Sequence, residues 1–285
     1  MGEEQVILSM LPARADERRR AFAVVAFFLA IFAVAAPFAR IGLAAVPGFI
    51  ASYQAAVVVN DLITAALLFG QSATARSRSL LVLASGYLFT ALTAIVHALT
   101  FPGLFAAGGV LGGGAQSTAW LYMFWHGGFP IAVILYAALR GSDRRWTGWD
   151  ARIGLLGAFA AVTGLVVGIT LLTTAGEAWL PAIMAGNSYT PAMTFTVSTV
   201  WALSVVALAV LWRRKPHSVL DLWLMVVLYA WLCDIALSAV LNAGRFDLGF
   251  YAGRVFGLLA SSFVLLVLLL ETSALYHRLA RSCPA

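Results

Sequence analysis

Charged residues are scarce in this chain of 285 residues and make up only 11% of it. A soluble domain carries about 25% charged residues. Hydrophobic residues account for 62% of the chain, and the mean hydropathy is +0.93. Polar residues are therefore too few to cover a soluble body of this size. The composition excludes a soluble globular protein and indicates an integral membrane protein.

Cysteine is almost absent: Cys233 lies inside an apolar stretch and Cys283 lies in the C-terminal tail. We expect the two thiols to lie at different depths, which argues against a disulfide. The sequence also lacks G-x-S-x-G, H-E-x-x-H and a phosphate-binding glycine loop followed by Lys and Ser or Thr. We therefore predict no enzymatic activity, no catalytic residues and no cofactor. The first apolar stretch is too long for a cleavable signal peptide.

What the chain does contain is eight apolar stretches of about 20 residues, the length that a membrane-spanning helix needs. The sequence thus predicts an all-α, polytopic membrane protein with an eight-helix domain at 20–271, a cytoplasmic N-terminal segment at 1–19 and a short tail at 272–285. The predicted spans lie near 20–39, 51–70, 79–99, 118–139, 153–173, 193–212, 218–241 and 251–271.

The basic residues set the orientation of these spans. Of the 18 Lys and Arg residues, fifteen fall in segments on the side of the N-terminus. Only Arg40 and Arg245 fall on the opposite side, and Arg254 lies within the eighth span. The positive-inside rule therefore predicts that both termini are cytoplasmic. Because topology accounts for the net charge of +6, we expect no nucleic-acid partner.

Polar side chains recur at helical spacing in five of the spans, so that each of these spans has one polar face. Ionisable residues in a membrane are costly and usually face the interior of the bundle. We expect them to concentrate in the outer half of the bundle and to form a polar, ligand-binding pocket without a metal. The candidate residues are Tyr53, Asn60, Asp61, His97, His126, Trp231, Asp234 and Arg254.

Packing alone is an open alternative for these residues. Asp234 and Arg254 would then form an ion pair that joins the last two spans, and Ser and Thr would join helices by hydrogen bonds. The eighth span also carries Gly249, Gly253 and Gly257, a double small-xxx-small repeat. This repeat predicts close helix packing within the chain, and it would also permit a homodimer.

Several stretches, in this order and spacing, resemble the membrane-associated sensor (MASE) domains of bacteria, of the fourth type. The resemblance covers nearly the whole chain and comes from short motifs. These are VPGFIASY at 46–53, VNDLITAALLFGQ ending at Gln71, GYLFTAL at 86–92, HALTFPG at 97–103, WLYMFWHGGFP at 120–130, LNAGRFDLGFYAGR at 241–254 and LLLETSALYHRLAR at 268–281.

The resemblance implies a sensory input module of the bacterial inner membrane that detects a membrane or periplasmic stimulus. Such domains precede a diguanylate cyclase or a histidine kinase, so the resemblance implies a cytoplasmic output of that kind. No such output domain follows the eighth span in this sequence, and we expect a separate cytoplasmic kinase or cyclase as partner. Leu275 and Leu279 have the spacing of the start of a signalling helix.

The residues leave other functions open. A small-molecule transporter or channel would need polar lining in the inner half of the bundle. Several spans have few polar residues there. A bis-histidine haem protein would use His97 and His126, with Cys233 as a third soft ligand only if its helix were adjacent. An assembly factor without a ligand is the last alternative.

Overall fold

The computed structural model describes residues 11–113, 115–140 and 148–282. Within these ranges it contains eight helices that are long and apolar enough to cross a membrane, as predicted. The helices are α1 (Ala15–Ala35), α2 (Pro47–Ala75), α3 (Arg78–Thr100), α4 (Ala115–Leu139), α5 (Gly148–Thr173), α6 (Pro191–Arg213), α7 (Val219–Ile235) and α8 (Leu248–Ser282). Short 3₁₀ turns lie at Ala36–Phe38 and Glu177–Trp179.

The helices extend beyond the apolar stretches that revealed them. Helix α2 begins at Pro47, because proline suits the first helical position, and ends before Arg76, whose φ is +53°. Helix α8 continues to Ser282, past the predicted end of the span at 271. Hydrophobicity marks the part of a helix that lies in lipid and not the point where the helix ends.

Helices α3 and α7 form the centre of the bundle. In the most apolar 18-residue stretch of each helix, 72% of the residues of α3 and 78% of those of α7 are buried. The same fraction is 11% for both α1 and α5. Helix α3 packs between α2 and α4, and α7 packs against α8. The peripheral helices present large apolar side chains outward, such as Phe22 of α1 and Leu156 of α5, as a lipid-facing surface requires.

Backbone contacts between loops join segments that the sequence places on the same side of the membrane. On the predicted inner side, Ala13 N donates to His217 O at 3.0 Å. On the predicted outer side, Leu43 N donates to Phe246 O at 2.8 Å. The predicted outer side, called the outer side below, also carries a two-stranded hairpin, β1 (Met184–Ala185) and β2 (Ser188–Tyr189), which no pattern in the sequence predicted.

A further ionic cluster, which the candidate set did not include, lies at the inner end of α7. Asp221 is fully buried and accepts hydrogen bonds from Tyr136 Oη at 2.9 Å and Ser218 N at 2.7 Å. It also forms an ion pair with Arg140. Ser218 Oγ in turn accepts from Asp221 N at 3.1 Å, which makes a capping box at the start of α7.

The outer end of α7 changes its winding. The helix continues from Ile235 as a π-helix over Ala236–Leu241. Single π turns inside α-helices are rare and often occur at functional sites, because they release backbone carbonyls from the regular ladder. Here Ser238 O accepts from Tyr189 Oη at 2.7 Å and Leu241 O accepts from Arg40 Nε at 3.1 Å. Outer-loop side chains thus hold this turn in place.

Candidate functional site

Asp234 lies at the centre of a buried polar cluster between α4, α7 and α8. Its carboxylate is fully buried and accepts from Tyr122 Oη at 3.1 Å and from Ser238 Oγ at 3.0 Å, both on Oδ1. Its Oδ2 lies 3.2 Å from His126 Nε2. Both partners on α4 come from one helix face, since Tyr122 and His126 are four residues apart. Every carboxylate oxygen therefore has a partner, which a buried charge requires.

Both ring nitrogens of His126 have hydrogen-bond partners. His126 Nδ1 lies 2.9 Å from Tyr122 O, a carbonyl oxygen that can only accept, so Nδ1 is the donor of this bond. On the other side of the ring, Nε2 faces Asp234 Oδ2. The pair compensates the burial of both polar groups inside an apolar bundle.

Aromatic rings enclose this pair. The rings of Tyr122 and Trp231 lie 3.8 Å and 4.6 Å from the ring of His126. Trp231 Nε1 also donates to His126 O at 3.2 Å. The ring of Trp125 lies 5.1 Å from the same ring. The imidazole is therefore held in one orientation by packing as well as by hydrogen bonds.

The cluster touches the backbone of α8 directly, at two of its three glycines. A Cβ atom at Gly253 would lie 2.7 Å from Asp234 Oδ1, and one at Gly257 would lie 2.8 Å from Asp234 Oδ2 and 2.9 Å from Tyr53 Oη. At Gly249 the Cβ would collide with Leu237 O. The small-residue face of α8 therefore packs within the chain, on the side of α7 that carries Asp234.

Arg254 does not form the ion pair with Asp234 that the sequence left open. Its guanidinium donates from Nη1 to Phe250 O at 2.8 Å, and its Cζ lies 3.4 Å from the centre of the Phe250 ring. Asp234 is paired with His126 instead. The Arg254 Cζ lies 5.7 Å from the Tyr122 ring, so the guanidinium borders the cluster without contacting the carboxylate within ion-pair distance.

Three further predicted residues lie in separate pairs. His97 Nδ1 makes a short contact with Gln54 Nε2, and the His97 ring lies 6.4 Å from that of Tyr122. Asn60 Nδ2 donates to Ser262 Oγ at 3.0 Å, which joins α2 to α8. Asp61 Oδ2 accepts from Thr90 Oγ1 at 2.7 Å, which joins α2 to α3.

The structure therefore brings together Tyr53, His126, Trp231, Asp234 and Arg254 from the predicted set. His97 lies at the edge of this group, whereas Asn60 and Asp61 pair elsewhere.

The candidate set from the sequence missed several residues of the cluster. Tyr122 and Ser238 lie on the predicted polar stripes and could have been selected by spacing alone. Arg245 could have been selected by its position, since it is one of only two basic residues on the predicted outer side. No sequence pattern could have selected Tyr189, because it reaches the cluster only through the fold of the hairpin.

The β1–β2 hairpin covers the outer end of the cluster. Tyr189 Oη accepts from Asn242 Nδ2 at 3.1 Å in addition to donating to Ser238 O. Burial raises the pKa of the Tyr189 hydroxyl, so this group remains a donor at neutral pH. On the same side the pKa of Arg245 is lowered to about 10: burial lowers it most, Tyr189 raises it and the nearby Arg254 lowers it. Arg245, which is partly buried, is thus charged at neutral pH.

Both histidines make contacts within the protein in the described part of the chain. Both ring nitrogens of His126 are engaged, and His97 Nδ1 faces Gln54. Cys233 is a free, buried thiol. Within the described ranges no group of three or more His, Cys, Asp or Glu residues is placed to hold a metal ion. Cys283 lies outside the described residues, as do Gly114, Arg144 and Arg145.

Comparison with known proteins identifies the family. The family model described as a membrane-associated sensor, integral membrane domain (MASE4), matches residues 44–276, which include the whole cluster and most of α8. No curated protein and no solved structure matches the chain. Because the match covers most of the chain, it confirms the resemblance, and the chain belongs to the MASE4 family of membrane-associated sensor domains as a multi-pass integral membrane protein.

Proposed function

We propose that this chain is the sensory input module of a bacterial inner-membrane signalling system. A stimulus from the membrane or periplasm acts on the cluster around Asp234, changes the packing of α7 against α8, and reaches a cytoplasmic output through α8. The output in this proposal is a histidine kinase or a diguanylate cyclase, and the chain itself senses and does not catalyse. The family match supports the sensory role.

One observation carries the proposal: the carboxylate of Asp234 lies directly under the backbone of α8. Its two oxygens occupy the space beside Gly253 and Gly257, where any side chain would collide with them. A change in the protonation or hydrogen bonding of Asp234 therefore alters the surface on which α8 rests. Packed interfaces of this kind shift between discrete arrangements and do not deform continuously.

The length of α8 makes it suitable for transmitting such a shift. Its 35 residues measure about 52 Å, whereas the hydrocarbon core of a membrane is about 30 Å thick. The helix continues for about 18 Å past Leu270, the end of its spanning part. With the C-terminus on the cytoplasmic side, as the positive-inside rule predicts, this extension delivers the movement to a cytoplasmic partner.

A reporter fusion tests the proposal. The chain is joined after Ser282, in helical register, to the catalytic domain of a diguanylate cyclase, and cyclic di-GMP is measured in cells. Asp234→Asn and Arg254→Ala should each change the output by about fivefold or more, the range of coupling energies between linked sites. Gly168→Ala is the matched control, since a Cβ there meets nothing within 4 Å. Unchanged output from both variants at normal expression would refute the proposed relay.

A further inference from the structure

A small cavity lies under the hairpin, on the outer side of the cluster. Its volume is about 30 Å³, and residues from α3, α4, α6, the hairpin, the π turn, the α7–α8 loop and α8 line it. Among them are His97, Tyr189, Arg245 and Arg254. Two arginine side chains facing one small cavity, one of them within a membrane span, require a physical explanation, because buried charges are costly unless they are compensated.

Arg254 has little compensation within the described residues. Its side chain is only 6% exposed, and its one hydrogen bond there is from Nη1 to Phe250 O. A guanidinium has five N–H donors, so most of them have no protein acceptor in the described part of the chain. The ring of Phe250 covers one face of the guanidinium, which satisfies the charge in part but accepts none of the in-plane hydrogens.

The second guanidinium adds to the positive charge at the cavity. Arg245 lies with its Cζ 5.3 Å from the centre of the Phe101 ring. Burial lowers the pKa of Arg245, Tyr189 raises it, and the positive charge of Arg254 lowers it, as expected for two guanidiniums that line one cavity. Of the buried carboxylates nearby, Asp234 is held by Tyr122, Ser238 and His126. Asp247 accepts from Ala243 N at 2.9 Å on Oδ2, and its Oδ1 has no hydrogen-bond partner among the described residues.

The size of the cavity limits what it can hold. One water molecule needs about 10–15 Å³ of such volume, so about 30 Å³ accommodates one or two water molecules or one monatomic ion. Sugars, amino acids and nucleotides are too large, since pockets for organic ligands start at about 300 Å³. The positive charge, together with the in-plane N–H donors of Arg254 that lack a protein acceptor in the described part of the chain, selects an anion among the species that fit.

We infer that this cavity is a binding site for one small inorganic anion of about the size of chloride, held between the guanidiniums of Arg245 and Arg254. The anion would join the α7–α8 loop to α8 beneath the hairpin, beside the ring of Tyr122. The inference names a ligand for the proposed sensory site, and it rests on the proposed function only for the effect that binding has on α8.

Binding is tested by thermal unfolding of the purified full chain in detergent. Sodium chloride and sodium bromide are compared with sodium gluconate at the same ionic strength, because gluconate is too large for the cavity. A ligand that binds only the folded state raises the melting temperature, and we expect a rise of at least about 2 °C in chloride and in bromide. Equal melting temperatures in chloride and gluconate would overturn the inference.

Three variants locate the site. Arg254→Gln and Arg245→Gln should each abolish the rise, and the second variant serves if the first does not fold. Arg40→Gln is the control, because Arg40 is an exposed basic residue on the same side that does not line the cavity. A chloride-dependent rise that persists in a folded Arg245→Gln or Arg254→Gln variant would refute the site.

The reporter fusion separates this inference from the proposed function. A chloride-dependent rise together with an output that is unchanged in both Asp234→Asn and Arg254→Ala supports the anion site and refutes the relay. The opposite pair of results supports the relay and refutes the anion site.

Discussion

The contact between α8 and the Asp234 cluster makes a sharp prediction about Gly253. In Gly253→Ala the new Cβ would lie 2.7 Å from both Asp234 Oδ1 and Ser238 Cβ, whereas carbon atoms pack best at about 3.5–4.0 Å. Helix α8 must therefore move away from α7 by about 1 Å, or the carboxylate must rotate and lose its hydrogen bonds.

The expected cost follows from this overlap. Inserting a methyl group into a well-packed interior costs about 1–3 kcal/mol. Replacing glycine by alanine in a helix without such overlap gains up to about 1 kcal/mol. Gly168→Ala in α5 provides this reference, because its Cβ would meet nothing within 4 Å. The two variants should thus differ in unfolding free energy by about 1–4 kcal/mol.

The assay is unfolding of the purified proteins in mixed micelles, with titration by a denaturing detergent. Gly257→Ala should behave like Gly253→Ala, because its Cβ would approach Asp234 Oδ2 and Tyr53 Oη. If Gly253→Ala were as stable as Gly168→Ala, then α8 would not rest on the carboxylate and the argument for a relay would fail.

Two further predictions concern the inner cluster and the hairpin. Asp221→Ala leaves Tyr136 without its acceptor and Arg140 without its ion pair. It should lower the unfolding free energy by about 3 kcal/mol in the same micelle titration. A loss under about 1 kcal/mol would contradict the role assigned to Asp221. Tyr189→Phe removes the hydrogen bond to Ser238 O and should lower the unfolding free energy by about 1 kcal/mol. The hairpin amides should then exchange their hydrogens faster. An unchanged exchange rate would show that the hydroxyl does not hold the hairpin.

The membrane topology could be predicted from the sequence because hydrophobic length is a local property. Each span can be recognised from about 20 consecutive apolar residues, and this pattern alone predicts the eight helices. The ends of the helices are harder to predict from the sequence, and α8, for example, continues to Ser282. Caps and loop contacts decide those ends, and hydropathy does not report them.

The candidate site could be predicted only in part, because spacing places residues on one helix face but does not say which faces meet. His126 and Asp234 were selected as intramembrane ionisable residues, and their pairing required the packing of α4 against α7. Arg254 was selected for the same reason, but its contact with Phe250 could not be foreseen. The role of Tyr189 depends on a hairpin that the sequence did not reveal.

The central claim is that a change at the outer cluster moves the inner end of α8. Spin labels at Arg214→Cys and Ser273→Cys, both exposed positions at the inner side, report this distance in lipid nanodiscs after replacement of the native cysteines. Helix shifts at switching interfaces are about 1–2 Å. We predict a shift of this size in the distance distribution for Gly253→Ala and none for Gly168→Ala. Identical distributions for both variants and the unsubstituted chain would contradict the claim.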